Sequence, residues 1–293
     1  MEILEFNDKK FPKSLRKIKN PPKRIWVEGN KENLNLNSIA IVGSRSNTDY
    51  GKKWCEKFAK GLIEYNLVIV SGMAVGIDSI AHGTALKYGG KTIAVLPSGL
   101  NNIFPEENIK LYRKILDNGG TVITEYPPNE KKTSYKCLER NRIVSGLSLG
   151  TLVIEAAYRS GTSVTADITK SENKKVFCIP GNLENEKSVG TNTLIKKYAK
   201  LVTDVEDIVE NYSFLSRKNE LKENLNYNLN DIKEEYREIY KAIIDKPKDI
   251  NIIAKETNLP INEVMAKITM LEIEDKIKRV EGNKFIKSSK TVF

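Results

Sequence analysis

Through the first two thirds of the chain, short apolar runs alternate with longer stretches in which apolar residues recur every three or four positions. Ser38–Val42 is a β-rich run ending in Gly43, and an amphipathic helical pattern follows from Asp49 to Tyr65. Leu67–Val70 is the next strand, stopping at Ser71-Gly72, with a helix over Gly76–Tyr88. Lys91–Leu96 reads as a strand and Glu106–Asn118 as a helix. Thr121–Thr124, Thr151–Glu155 and Lys175–Ile179 are further strands with helical patterns between them. Strands alternating with helices predict an α/β fold, a Rossmann-like, doubly wound, mostly parallel sheet covered on both faces.

The two ends of the chain have a different character. Residues 1–37 are polar and hold Pro12, Pro21 and Pro22, which predicts an arm with one candidate strand, Arg24–Val27. The large domain then spans 38–212. Residues 213–231, rich in Asn, Lys and Glu, read as a linker. Three helical patterns follow, at Ile232–Asp245, Asp249–Glu256 and Pro260–Ile273. Strands Lys276–Val280 and Lys284–Lys287 come next, joined by the turn Glu281-Gly282-Asn283. Three helices and a hairpin in this order predict a small winged helix over 232–288.

A net charge of +10 favours polyanionic partners without bearing on the fold. Cys55, Cys137 and Cys178 are too far apart for metal-ligand spacing and odd in number, so neither a zinc site nor a disulfide framework is expected. No apolar signal region opens the chain and no apolar run is long enough to span a bilayer, which places the expected compartment in the cytosol.

Candidate chemistry lies in the turns that follow the strands, where a parallel sheet holds its ligands. The first turn is Gly43-Ser44-Arg45. Glycine lets a backbone approach a phosphate, and the planar guanidinium of arginine suits the same group. Ser71-Gly72 and Pro97-Ser98-Gly99 follow the next strands, and Arg140-Asn141-Arg142 and Ser160-Gly161-Thr162 come later. Together they predict a phosphate-binding rim. The first turn lacks Gly-x-Gly-x-x-Gly, and no Gly-x-x-x-x-Gly-Lys-Ser/Thr loop exists, so a dinucleotide cofactor and ATP hydrolysis by that route are not expected. His82, the single histidine, is read as structural. Glu125 and Glu155 could act as bases, but are read as orienting Arg140 and Arg142.

Ordered blocks then give a resemblance. They are Ser71-Gly72-Met73-Ala74-Val75-Gly76-Ile77-Asp78, Leu96-Pro97-Ser98-Gly99-Leu100 with Phe104-Pro105, and Thr124-Glu125-Tyr126-Pro127-Pro128. Arg140-Asn141-Arg142-Ile143-Val144-Ser145-Gly146-Leu147-Ser148 is the most specific, followed by Ser160-Gly161-Thr162, Ile179-Pro180-Gly181 and Gly190-Thr191-Asn192. In this order the chain, from about residue 11 to 210, resembles the DNA-processing protein A (DprA/Smf) family. It departs from the family pattern at Val75, where arginine is common, and at Tyr198, where glycine often stands. The first 37 residues read as an arm, not as the helical N-terminal domain of many members.

The resemblance implies a homodimer that binds single-stranded DNA and loads RecA recombinase onto it during natural transformation, without a cofactor and without catalysis. Arg45, Arg140 and Arg142 would meet phosphates, and Phe104 or Tyr126 would stack on a base, unless either aromatic is simply core. The recognition helix of the winged domain carries Glu263, Glu272 and only Lys267, whereas the wing holds Lys276, Lys278, Arg279, Lys284 and Lys287. A major-groove reader presents cations and amides on that helix, so a protein contact or a weak backbone contact is expected instead. Two rivals stay open. One is a phosphoribohydrolase-like nucleotide enzyme or sensor, weakened because Arg159-Ser160-Gly161-Thr162 lacks that class's glutamate. The other is a winged-helix transcription regulator.

Overall fold

A computed structural model describes residues 1–216, 232–243, 247–280, 282 and 284–288. The chain separates into two compact units, Met1–Lys218 and Asn219–Phe293.

The first unit is built on a nine-stranded sheet. Its parallel centre comprises β3 (Ser38–Val42), β4 (Val68–Ser71), β5 (Thr92–Val95), β6 (Thr121–Thr124), β7 (Gly150–Val153), β8 (Lys175–Cys178) and β9 (Lys200–Leu201). The spatial order is β6-β5-β4-β3-β7-β8-β9, so the chain winds outward from β3 in one direction and then restarts beside it with β7. The central strands are buried throughout, because both faces are covered. Ile39, Ile41, Ile69 and Leu152 meet α1 (Asp49–Glu64) and α2 (Ile77–Lys87) through Cys55, Phe58, Leu62 and Ala81. The alternate residues Ala40, Val42, Val70 and Val153 share a second core with Ile143, Val144, Ala166 and Leu194. α3 (Ile109–Asp117) places Ile115 in a smaller core with Ala94 and Val122, and Ile143, Val144, Ala166 and Leu194 lie on α4 (Ser134–Leu147), α5 (Gly161–Ser171) and α6 (Glu186–Lys197).

The first 37 residues are not an arm. β1 (Glu2–Glu5) and β2 (Arg24–Gly29) extend the sheet, β2 pairing antiparallel with β6. Phe11, Leu15 and Ile25 are fully buried, and Leu15 and Ile18 pack on Gly146 of α4. Prolines and lysines mask this apolar set in the sequence.

In the second unit, helices Arg237–Ile243, Ile250–Thr257 and Ile261–Ile273 surround a core of Tyr236, Ile239, Ile253, Val264, Leu271 and Phe285. Asn258 takes the left-handed conformation that turns the second helix into the third. β11 (Ile277–Val280) and β12 (Lys284–Lys287) form the wing. A short β10 (Lys248–Asp249), which the sequence pattern does not announce, adds to β12. Most of the expected linker, from residue 217 on, and two turn residues, Glu281 and Asn283, lie outside the described residues. Among the described residues, no helix is long and apolar enough to cross a membrane.

A candidate nucleic-acid interface at the switch point

Winding reverses between β3 and β7, which opens a crevice beyond their carboxyl ends. A cavity of about 390 Å³ lies there, lined by Gly43, Ser44 and Arg45 after β3 and by Ser160, Gly161 and Thr162 after β7. Thr162 Oγ1 donates to the Gly43 carbonyl at 3.1 Å, tying the two turns together. Ser160 stands at the cap position of α5 but makes no capping bond, so the helix presents its first amides uncapped. Arg45 is exposed at the rim, and no described residue pairs with it. Asn141 completes the wall, its Nδ2 lying 3.5 Å from the Gly161 carbonyl.

The remaining residues expected at the rim are placed differently. Arg140-Asn141-Arg142 lies within α4 and not in a turn, so consecutive side chains diverge. Arg140 is 5% exposed and its Nη1 donates to the carbonyls of Gly72 and Val95. It therefore fastens the β4 and β5 ends together from beneath the cavity. Gly72 is required by this contact, because a Cβ there would collide with the guanidinium. Arg142 turns away and pairs with Glu125 at 2.5 Å, as the carboxylate-orienting reading expected. Glu155 does not serve Arg140. It accepts from the Thr48 amide at 3.0 Å and from the Thr48 hydroxyl, locking the start of α1. Ser71 is buried and donates to the Ile41 carbonyl at 2.6 Å. The Gly99 amide donates to the Glu130 backbone carbonyl at 2.9 Å, and Gly99 packs against the Pro127 and Pro128 carbonyls. Neither Ser71 nor Gly99 lines the cavity.

Asp78 and Asn108 are the residues whose role the sequence hid. The Asp78 carboxylate accepts from the amides of Gly72 and Ala74 at 3.1 and 3.2 Å. Burial pushes its pKa up, and Arg140 opposes that shift. Asn108 Nδ2 donates to the Met73 carbonyl at 2.7 Å. These bonds hold the 71–76 loop in a conformation with positive φ at Met73 and Gly76. A carboxylate in the first turn of the helix that follows the 71–76 loop was the available signal for Asp78.

Phe104 is half-buried and lines a second cavity of about 190 Å³, with Lys132 Nζ 4.5 Å from its ring centre. Tyr126 donates to Glu139 at 2.7 Å, away from either cavity. His82 is wholly buried against the Thr92 hydroxyl, and burial lowers its pKa to about 3. Its structural reading holds.

Fold and crevice define a Rossmann-like α/β protein with a basic switch-point cavity, joined to a winged-helix domain. Residues 2–213 match the family described as DNA recombination-mediator protein A, and 229–283 match the DprA winged helix domain. The chain belongs to the DprA/Smf family. Protein Smf of Escherichia coli (strain K12) is 36% identical over 275 residues, covering 93% of this chain and 74% of that protein. DNA processing protein DprA of Streptococcus pneumoniae is 40% identical over 204 residues, 70% of this chain and 72% of that one. The X-ray structure of the S. pneumoniae protein superposes with a TM-score of 0.69 at 39% identity, over 73% of this chain and 75% of that chain. DNA processing protein A of Helicobacter pylori, whose structure addresses its single-stranded DNA binding mode, gives 0.65 at 30% identity, over 72% and 95%.

Proposed function

We propose that this protein binds single-stranded DNA by its phosphates across the switch-point rim, as a homodimer in the cytosol, and hands the strand to RecA recombinase. The observation that carries the reading is the crevice itself. Arg45, which no described residue pairs with, a glycine turn and an uncapped helix N-terminus converge on one cavity of about 390 Å³. The H. pylori relative, with its single-strand binding mode, supports it. Binding, not catalysis, is the role proposed. His82 is sealed in the core, and burial pushes the thiols of Cys55 and Cys178 up, away from the reactive thiolate.

The winged helix is assigned no duplex-reading role. Lys267 is paired with Glu263 at 2.6 Å on the recognition helix, whose exposed positions include Ile261, Met265 and Ile273. Fluorescence anisotropy with labelled single strand, duplex and free nucleotide at several salt concentrations tests the reading. Single strand is expected to bind most tightly, with log–log salt slopes of about −0.7 per phosphate. A flat salt response, or a preference for duplex, refutes it. The recombinase step is checked by whether the protein accelerates RecA filament formation on single strands.

A further inference from the structure

Charge is spread unevenly along the chain. Residues 1–24 hold eight cations and three carboxylates, a net +5, half of the +10 carried by all 293 residues. Those carboxylates are engaged elsewhere. Glu2 is bound by Lys31 at 2.7 Å, Glu5 faces Arg24 at 3.4 Å, and Asp8 accepts from the Glu5 amide at 2.7 Å. Lys10 lies beside the Glu2–Lys31 pair. Lys9, Lys13, Lys17, Lys19 and Lys23 are exposed, and among the described residues none of them has an ion-pair partner.

The segment that carries these lysines is firmly seated. Leu15 and Ile18 pack on Gly146 in the last turn of α4. Arg16 lies against the rings of Phe6 and Phe11 and donates to the Asp8 carbonyl, which ties the loop down. The large apolar side chains between Asp8 and Arg24, namely Phe11, Leu15 and Ile18, are all buried, so the outer surface offers cations and no apolar anchor. A protein partner needs an apolar centre to bury, and this surface has none. Lysine presents a point charge without the planar fork of arginine, so a row of lysines tracks phosphates without reading bases. None of the five lines the switch-point cavity. α4 joins the two places: Cys137 lines the cavity, and Gly146 meets Leu15 and Ile18 about 14 Å further along the helix.

We propose that the lysine surface of residues 9–23 is a second site for nucleic-acid phosphates, and takes up the single strand beyond the stretch held in the crevice. This rests on the single-strand reading above and extends it. A short strand is held by the crevice alone, and a long one by both. Once the crevice is filled the second contact is intramolecular, so individually weak lysine contacts add to the affinity of a long strand.

The test uses the full-length protein and labelled oligothymidylates of about six and about forty residues, a length too short and a length ample to pass beyond one site. One variant replaces Lys9, Lys13, Lys17 and Lys19 with Gln. A control variant removes the same charge from α1, as Gln at Lys52, Lys53, Lys57 and Lys60, all exposed. Thermal midpoints confirm that both fold. On the long strand the first variant should lose affinity, and its log–log salt slope should shrink by about 0.7 for each phosphate released. Its binding of the short strand should be unchanged, and the control should keep the parent slope on the long strand. An unchanged long-strand slope in the first variant overturns the second site. So does an equal loss on both lengths, or an equal loss in the control, since either shows only the general field of a basic protein. Vesicles of anionic lipid that bind the parent and not the first variant, with long-strand binding intact, assign the lysines to a membrane and overturn it as well. If Arg45→Ala weakens the short strand while the first variant is silent, the crevice stands and the second site falls. If Arg45→Ala is also silent, the single-strand reading falls with it.

Discussion

Replacing Arg140 with methionine separates a scaffold role from a DNA contact. The substitution keeps much of the side-chain volume but removes the donors to the Gly72 and Val95 carbonyls, both at buried strand ends. A buried carbonyl that loses its donor costs about 1–3 kcal/mol. Asp78 also loses the cation that opposes its burial. Some of this is offset because a buried guanidinium no longer has to be desolvated. The net is about 3–5 kcal/mol, the usual cost of breaking a buried charged network. For a unit of this size that lowers the thermal midpoint by on the order of 10 °C. The deficit should also depend on pH. With the cation gone, the native-state pKa of Asp78 rises further above its unfolded value, so the native state binds an extra proton between those two values. Stability of the variant therefore falls as pH rises through that window, and the deficit is smaller in mild acid than at neutrality. Differential scanning calorimetry of parent and variant across that range measures both effects. A variant with unchanged midpoint and lost DNA affinity would show that Arg140 touches the strand directly.

Arg45→Ala should weaken single-strand binding by about 1–3 kcal/mol in anisotropy titrations while leaving the midpoint unchanged, since no described residue pairs with Arg45. His82, with its folded pKa lowered to about 3, binds fewer protons folded than unfolded below its ordinary value near 6.5. Its contribution to stability is therefore present above about pH 6.5 and lost as pH falls toward 3, and His82→Leu should flatten that limb of an acid-unfolding curve. A chain ending at Lys218 should fold and keep most of its single-strand affinity, because the crevice and its cores lie wholly in the first unit. If the second unit alone carries the affinity, the site has been put in the wrong domain.

The central strands were legible because their residues are apolar on both faces, and the turns after β3 and β7 because glycine and arginine mark them. What escaped was contact across long sequence distance. Nothing local tells Arg24–Gly29 that its partner is β6, or tells Phe11 that α4 will cover it. Arg140 and Arg142 are two residues apart and look alike in sequence. One is buried under the 71–76 loop and the other is held by Glu125, a difference set by which face of α4 meets the sheet. Glu155 and Glu125 likewise both follow strands, yet one locks a helix start and the other balances an arginine.

The pairing of β2 with β6 also has a consequence during synthesis. The segment that holds β1 and β2 leaves the ribosome before β6 and α4, and has no surface to dock on until they have followed it. Roughly a hundred residues separate β2 from β6, a wait on the order of 5–20 s at ordinary elongation rates. Through that interval Phe11, Leu15 and Ile25, buried in the finished protein, are open to chaperones or to neighbouring chains. Lys9-Lys10 and Pro21-Pro22-Lys23 flank this segment with the charges and prolines that generally oppose aggregation of an exposed apolar run.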